Sequence, residues 1–330
     1  MTLRRREFIT LLGGAAAWPL AALAQRAGVP VVALFNSASV DSATALNLLA
    51  FRNGLEELGF VEGRNVAIEY HFLGGQYDGL SALMTDIIRR RIAVIATPGD
   101  APSAFAAKAA TSTIPIVFGV GDDPVRTGLV ASLARPGGNA TGMNFFSNEV
   151  LPKAFELLHQ LLPRAARMAV LINPRNPLVI TPQLQKIEEA ARSLGSSIEV
   201  LNATTGHEIE DAFAQMVAER IEALIVAPDG YFASRRVQFA IQAARHGIAL
   251  ASTNRYYAEV GALMSYGTSL TEMFHQVGAY VGQILKGAKP TDLPVVQPTR
   301  FEFIVNMQTA RAFGIEVPPT LLALADEIIE

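Results

Sequence analysis

Cysteine is absent from all 330 residues. That absence excludes disulfides, thiol nucleophiles, thiolate metal sites and a lipid-anchored N-terminal Cys. An excess of basic charge is also lacking: 27 Lys+Arg against 30 Asp+Glu leave a net −3, and none of the nucleic-acid-reading signatures is present. Catalytic spacing is missing as well, with no Gly-x-Ser-x-Gly, no His-Glu-x-x-His and no Gly-x-x-x-x-Gly-Lys-Ser/Thr. His71, His159, His207, His246 and His275 fall at no ligand-like spacing. A dinucleotide loop would need Gly-x-Gly-x-x-Gly after the first strand. Here that loop reads Asn36-Ser37-Ala38-Ser39-Val40-Asp41, without glycine. Asp122-Asp123 is followed by Pro124 with no His nearby, which reads as a helix start rather than a metal site. No metal and no cofactor are expected.

What is present begins with the first 24 residues. Arg4-Arg5-Arg6 is a basic start, Phe8–Leu23 is apolar and small, and Ala22-Leu23-Ala24 offers a small-x-small cleavage pattern. The apolar stretch is short and broken by Pro19, so an export signal cleaved after about Ala24 is expected rather than a retained span. Arg5-Arg6-Glu7-Phe8-Ile9 fits the twin-arginine route. Residues 1–24 hold three Arg and one Glu, so their removal takes Lys+Arg from 27 to 24 and Asp+Glu from 30 to 29, a net −5. The remaining chain is long enough for two cores.

Apolar strand-like runs then alternate with amphipathic helical stretches. Val29–Phe35, Val66–Phe72, Ile92–Ala96 and Ile114–Val120 read as strands; Ser42–Leu58, Leu80–Arg90, Ala101–Ala110 and Val125–Leu133 read as helices. After the turn cluster Pro136-Gly137-Gly138-Asn139 the series restarts. Met168–Ile172, Ile198–Leu201, Ala223–Ala227 and Ile248–Ser252 read as strands, separated by helices at Gln183–Leu194, Ile209–Arg220 and Phe232–His246. Two such series predict α/β architecture, two doubly wound parallel-sheet lobes. Residues 260–330 hold too few elements for a third core and complete the first two. Lobe one is placed at 29–143 plus 266–297 and lobe two at 144–265 plus 298–330.

In open parallel sheets ligands bind beyond the carboxyl ends of the strands. That rule selects loops carrying Asn36, Ser37, Thr97, Pro98, Gly99 and Asp123 in the first lobe. In the second it selects Asn173, Asn176, Asp229, Tyr231, Asn254 and Tyr256, with Asn144 and Tyr266 at the crossovers. For Asn36, Asn173, Asp100 and Asp229, capping a helix and binding a ligand carry equal weight. Arg255 beside Tyr256-Tyr257 suits a ligand with an apolar body and an acid group, with one of the two tyrosines packing inward. Phe35, Phe145, Phe146, Tyr231, Tyr256 and Tyr266 tilt the expectation towards an aromatic or other partly apolar acid.

A family resemblance rests on seven stretches: Arg5-Arg6-Glu7-Phe8-Ile9, Ala107–Phe118, Asp123-Pro124, Gly128–Asn139, Leu263–Gly267, Ile284–Pro290 and the end Ala323–Glu330. With these, nearly the whole chain resembles the solute-binding proteins of ABC importers in the group that includes tryptophan- and tyrosine-binding members. The resemblance implies a type I periplasmic-binding fold: two Rossmann-like lobes joined by a three-stranded hinge and closing on a solute. It further implies no enzymatic activity, a periplasmic location, a monomer, and an inner-membrane ABC permease with its ATPase as partners. One end of the solute would meet Asn36, Ser37 and Thr97, and the other Asp229, Asn254 and Tyr256. The Pro98-Gly99-Asp100 sequence departs from the small residues relatives carry there and marks a different solute. Two other readings are an exported sensor presenting its closed form to a membrane receptor and an exported hydrolytic enzyme. A lac-repressor-type regulator shares the fold but not the export signal.

Overall fold

The computed structural model describes residues 28–39, 41–146, 150–175, 181–298 and 300–330. The 1–24 segment, and Asn176, lie outside the described residues.

The first sheet has the order β2-β1-β3-β4-β5, all parallel: β1 (Val31–Asn36), β2 (Ala67–Phe72), β3 (Ile92–Pro98), β4 (Ile116–Val120) and β5 (Ala140–Asn144). Around it run α1 (Ser42–Glu57), α2 (Leu80–Arg89) and α3 (Ala101–Ala110). The apolar runs are continuous because both faces are covered. In β1, Val32 and Leu34 pack towards Phe51, Leu55 and Val277, while Ala33 and Phe35 pack towards Met84, Ile87 and Phe118.

The second sheet has the order β12-β11-β10-β9-β8-β6-β7. Its strands are β6 (Arg167–Ile172), β7 (Ser197–Asn202), β8 (Ala223–Val226), β9 (Ala249–Ser252), β10 (Met264–Gly267), β11 (Glu302–Asn306) and β12 (Glu327–Ile329). Only the β10–β11 pair runs antiparallel among the described pairs. The helices α4 (Leu151–Leu161), α5 (Thr181–Ser193), α6 (Gly206–Ala218), α7 (Gly230–Ser234), α8 (Arg236–His246) and α9 (Arg255–Glu259) surround it, and α11 (Met307–Ala312) and α12 (Pro319–Leu324) follow β11. Here too alternate residues split between two cores: Val170 lies with Phe155 and Leu158, and Leu171 with Phe213 and Phe239.

The helix α10 (Leu270–Leu285) follows β10 of the second sheet yet lies against α1 on the first. Gly54 and Gly278 permit that crossing, since a Cβ on either would strike the backbone of the facing helix at His275 or Phe51. The three segments passing between the sheets are laced together. Asn144 donates its N–H to the Val296 carbonyl at 2.9 Å, and the Thr268 hydroxyl donates to the Phe145 carbonyl at 2.7 Å.

Three expectations need correction. Val125–Leu133 is not a helix: Gly128 takes φ +76, and the Pro124 carbonyl gathers the N–H groups of Leu129 and Val130 into a turn. Phe232–His246 is broken at Arg235 into α7 and α8. The helix α4 was not anticipated, although Ala154, Phe155, Leu158 and Leu161 form a 3.6-period stripe buried on β6.

Candidate functional site

The carboxyl ends of the two sheets face each other across a cavity of about 160 Å³. That is close to the ~150 Å³ that accommodates one benzene, so the space fits a solute of single-ring or amino-acid size. Among the residues expected from sequence, the cavity wall includes Asn36, Ser37, Gly99, Asp229, Asn254 and Tyr256. Phe145, Leu270, Met273 and Phe274 add an apolar floor near the crossovers.

The polar strand-end residues serve the turns that follow them. Asn36 Oδ1 accepts from Ala38 N at 2.8 Å, and its amide donates to the Pro98 carbonyl at 3.3 Å. Asp41 accepts from Thr44 N at 2.8 Å and starts α1. Asp100 accepts from the N–H (3.1 Å) and hydroxyl (2.8 Å) of Ser103 and starts α3. Asp229 Oδ1 accepts from Phe232 N at 3.0 Å and from Asn173 Nδ2 at 3.1 Å. Asn254 Oδ1 accepts from Tyr256 N at 3.0 Å. Asp41, Asp100, Asp229 and Asn254 are N-caps of the kind that satisfies one orphan donor of a helix, while Asn36 closes a turn at the end of β1.

Side-chain bonds cross the cleft. Arg236 Nη1, at the first turn of α8, lies 2.6 Å from Asp41 Oδ2 at the start of α1. The Tyr256 hydroxyl of α9 donates to Asn47 Oδ1 of α1 at 2.8 Å, and Thr271 of α10 reaches the same oxygen at 3.3 Å. Two glycines permit the close approach of the lobes: a Cβ on Gly230 would collide with Ser37, and one on Gly75 with Tyr231.

These contacts set the local charge states. Burial would raise the Asp41 pKa, but the bonds from Thr44 and Arg236 outweigh it and hold the carboxyl below its usual range. Asp100 is fully buried, and burial pushes its carboxyl up to about 6 against the lowering effect of Ser103. Burial, reinforced by the charges of Asp100 and Asp229, raises the Tyr77 phenol. Burial, reinforced by Asp229, raises the Tyr257 phenol.

Other expected residues stand outside the cavity wall. Thr97 is fully buried inside β3, and Pro98 ends that strand. Asp123 accepts from Val125 N at 2.8 Å in an exposed turn, while its neighbour Asp122 lines the cavity. Asn144 accepts from Phe146 N at 3.0 Å, and Asn173 buttresses Asp229. Tyr231 packs over Gly75 with the Arg235 guanidinium 5.4 Å from its ring centre. Tyr266 stacks on Phe301 at 5.9 Å. Arg255 turns away to Glu259, Glu302 and Glu327 at 3.0, 3.1 and 2.8 Å, so it offers the solute no cation. Asp41, Asn47, Asp122, Arg236, Tyr257 and Thr268 line the cavity without having been singled out as contacts. Arg236 shows no local signal, because its partner is 195 positions away. Among the described residues no cluster of His, Asp or Glu could hold a metal, and no helix is long and apolar enough to cross a membrane.

The family model for ABC transporter substrate binding proteins matches residues 32–329. A tyrosine-binding protein of Clostridioides difficile (strain R20291) is 26% identical over 269 residues, covering 81% of this chain and 76% of that protein. A Streptococcus pneumonia ABC domain solved in complex with L-Trp superimposes with TM-score 0.81 at 22% identity, covering 91% of this chain and 99% of the other. The ligand-free, open structure of a Clostridium difficile substrate binding protein with adhesive properties covers the same shares at 25% identity, but with TM-score 0.63. The two-lobed parallel-sheet fold expected from sequence is the fold of these proteins.

Proposed function

The chain belongs to the ABC transporter substrate binding protein family, a family that binds solutes and does not transform them, and from that premise we propose that it is the periplasmic receptor of an importer. A small solute enters between the lobes, the crossovers bend, and the closed form delivers its cargo to an inner-membrane permease driven by its ATPase. Binding stabilises the closed arrangement over the open one. The observation that carries this reading is the pair of bonds across the cleft, Arg236–Asp41 and Tyr256–Asn47, around a cavity of amino-acid size. The better superposition on the L-Trp complex than on the open structure supports a closed arrangement here. Tyrosine and tryptophan binding among relatives supports an aromatic or other partly apolar amino-acid-like solute. Asn36, Ser37 and Gly99 would meet it from the first lobe, and Asp229, Asn254 and Tyr256 from the second. Residues 1–24 would direct export, and the mature protein would act as a monomer.

Thermal-shift screening of the purified protein against the amino acids and related amines and acids, followed by small-angle scattering, tests the reading. A hit should raise the melting temperature and reduce the radius of gyration. If no solute does both, the reading fails.

A further inference from the structure

The apolar end of the cavity is closed by one side chain resting on two bare stretches of backbone. Gly99 follows β3 and Gly119 lies in β4, neighbouring strands of the first sheet, and the Gly99 N–H donates to the Gly119 carbonyl at 3.1 Å. Met273, in the first turn of α10, fills the room above them. A Cβ on Gly119 would collide with the Met273 sulfur, and one on Gly99 would lie 3.6 Å from its terminal methyl. Met273 is fully buried, yet it lines the cavity together with both glycines. Phe145, Leu270 and Phe274, also on the wall, pack in the same apolar cluster.

A methionine on a surface would yield to a larger guest, because its side chain is unbranched and flexible. Here the helix that carries it is held in place. Met273 donates its N–H to the Ser269 carbonyl at 3.1 Å, Thr268 is bonded to Phe145, and Gly54 and Gly278 seat α10 directly on α1. The strands below are interior members of their sheet. Room at this end is therefore set by the length of side chain 273 and by the lack of side chains at 99 and 119. Gly99 also takes φ +72, a conformation that a residue with a Cβ adopts only under strain. The cavity of about 160 Å³ matches the ~150 Å³ that holds one benzene, and a fused pair of rings overfills it. A hydrophobic pocket discriminates a single methylene by about 10–200-fold, so one side chain at the end wall is enough to choose between ring sizes.

Resting on the reading of the chain as a receptor for an aromatic or other partly apolar solute, we propose that Met273 is a specificity-determining residue of the cleft. Seated on Gly99 and Gly119, it limits the apolar part of the solute to one ring or a branched aliphatic chain of that size. A fused-ring solute is turned away by the sulfur and terminal methyl of Met273, not by the polar groups of the wall.

Calorimetry with L-phenylalanine, L-tyrosine, L-leucine and L-tryptophan tests this on the purified protein and its variants. The tightest of the first three should bind the unaltered protein about tenfold or more above L-tryptophan. Met273→Ala should narrow that ratio about tenfold by gaining L-tryptophan. Gly119→Ala drives the sulfur into the cavity and should weaken the best probe about tenfold. Adding Met273→Ala to Gly119→Ala should restore the lost affinity, which separates a wall that sets size from a general loss of packing. If Met273→Ala does not fold, Met273→Val takes its place and the same ratios decide. L-tryptophan binding the unaltered protein as tightly as the best of the other three overturns the inference. So does a ratio left unchanged by shortening side chain 273, or a double variant that recovers nothing. Silence of all four probes with the unaltered protein, while another solute closes the lobes by scattering, overturns the inference and leaves the receptor reading standing. Absence of closure with every solute tried removes both.

Discussion

The two lobes share a plan but divide the work at the cleft unequally. The second sends long side chains outward: Arg236 from α8 and Tyr256 from α9 both reach α1 of the first. The first offers short receivers, Asp41 and Asn47, and the small residues Ser37 and Gly99. Where side chains would obstruct, each lobe contributes a glycine, Gly75 on one side and Gly230 on the other. The contrast separates residues that hold a lobe together from residues that hold the lobes against each other, and substitutions should sort the same way.

Core truncations should act on folding alone, and most strongly. Phe51→Ala in the first lobe and Phe155→Ala in the second remove fully buried rings and are each expected to cost about 3–5 kcal/mol. Denaturant unfolding measures this; a transition that splits in two would show that the lobes unfold separately. Gly230→Val should act on closure alone. Its side chain meets Ser37 only across the cleft, so solute affinity should fall about a hundredfold, ~2.7 kcal/mol. Unliganded melting should be unchanged, and scattering should report a permanently open molecule.

The first lobe should also answer to pH through Asp100. Its folded pKa of about 6 lies above the usual carboxylate range near 4. The folded state therefore resists ionisation, and stability falls as pH rises from about 4 to above 6. Between pH 4.5 and 7 the loss should be about 2 kcal/mol, and Asp100→Asn should flatten the profile. Asp41 has the opposite sign: its lowered pKa gives stability that is present above its ordinary range and is lost only as pH falls through the folded value. The smallest effect is expected for Arg236→Gln. An interlobe pair that is partly exposed should contribute about 1 kcal/mol or less, weakening all solutes about fivefold without changing their order. A changed order would mean that Arg236 touches the solute.

Much of the frame was legible because it is written locally. Val31–Phe35 and Met168–Ile172 are apolar throughout, as strands buried on both faces must be, and Gly247 ends α8 with φ +67, the left-handed conformation of a C-cap glycine. The strand-end rule led to Asn36, Ser37, Gly99, Asp229, Asn254 and Tyr256 on the cavity wall. It could not choose Asp122 over Asp123, because the direction of adjacent side chains depends on how the turn at Pro124 folds. Nor could it choose Arg236 over Arg255. Arg255 had tyrosine neighbours in sequence, but Glu302 and Glu327 arrive from strands 47 and 72 positions away and claim it. Val125–Leu133 carries helical spacing, yet Gly128 overrules it with a left-handed turn.

The lacing of the crossovers has a mechanical consequence. Phe145 is tied to Thr268, and Asn144 to Val296, so no one strap can swing while the others stay still. Three loose connections would let the halves slide, twist and gape; three fastened ones leave a single axis, like the spine of a book. A receptor built this way opens along one path, and whatever it carries has one direction in which to leave.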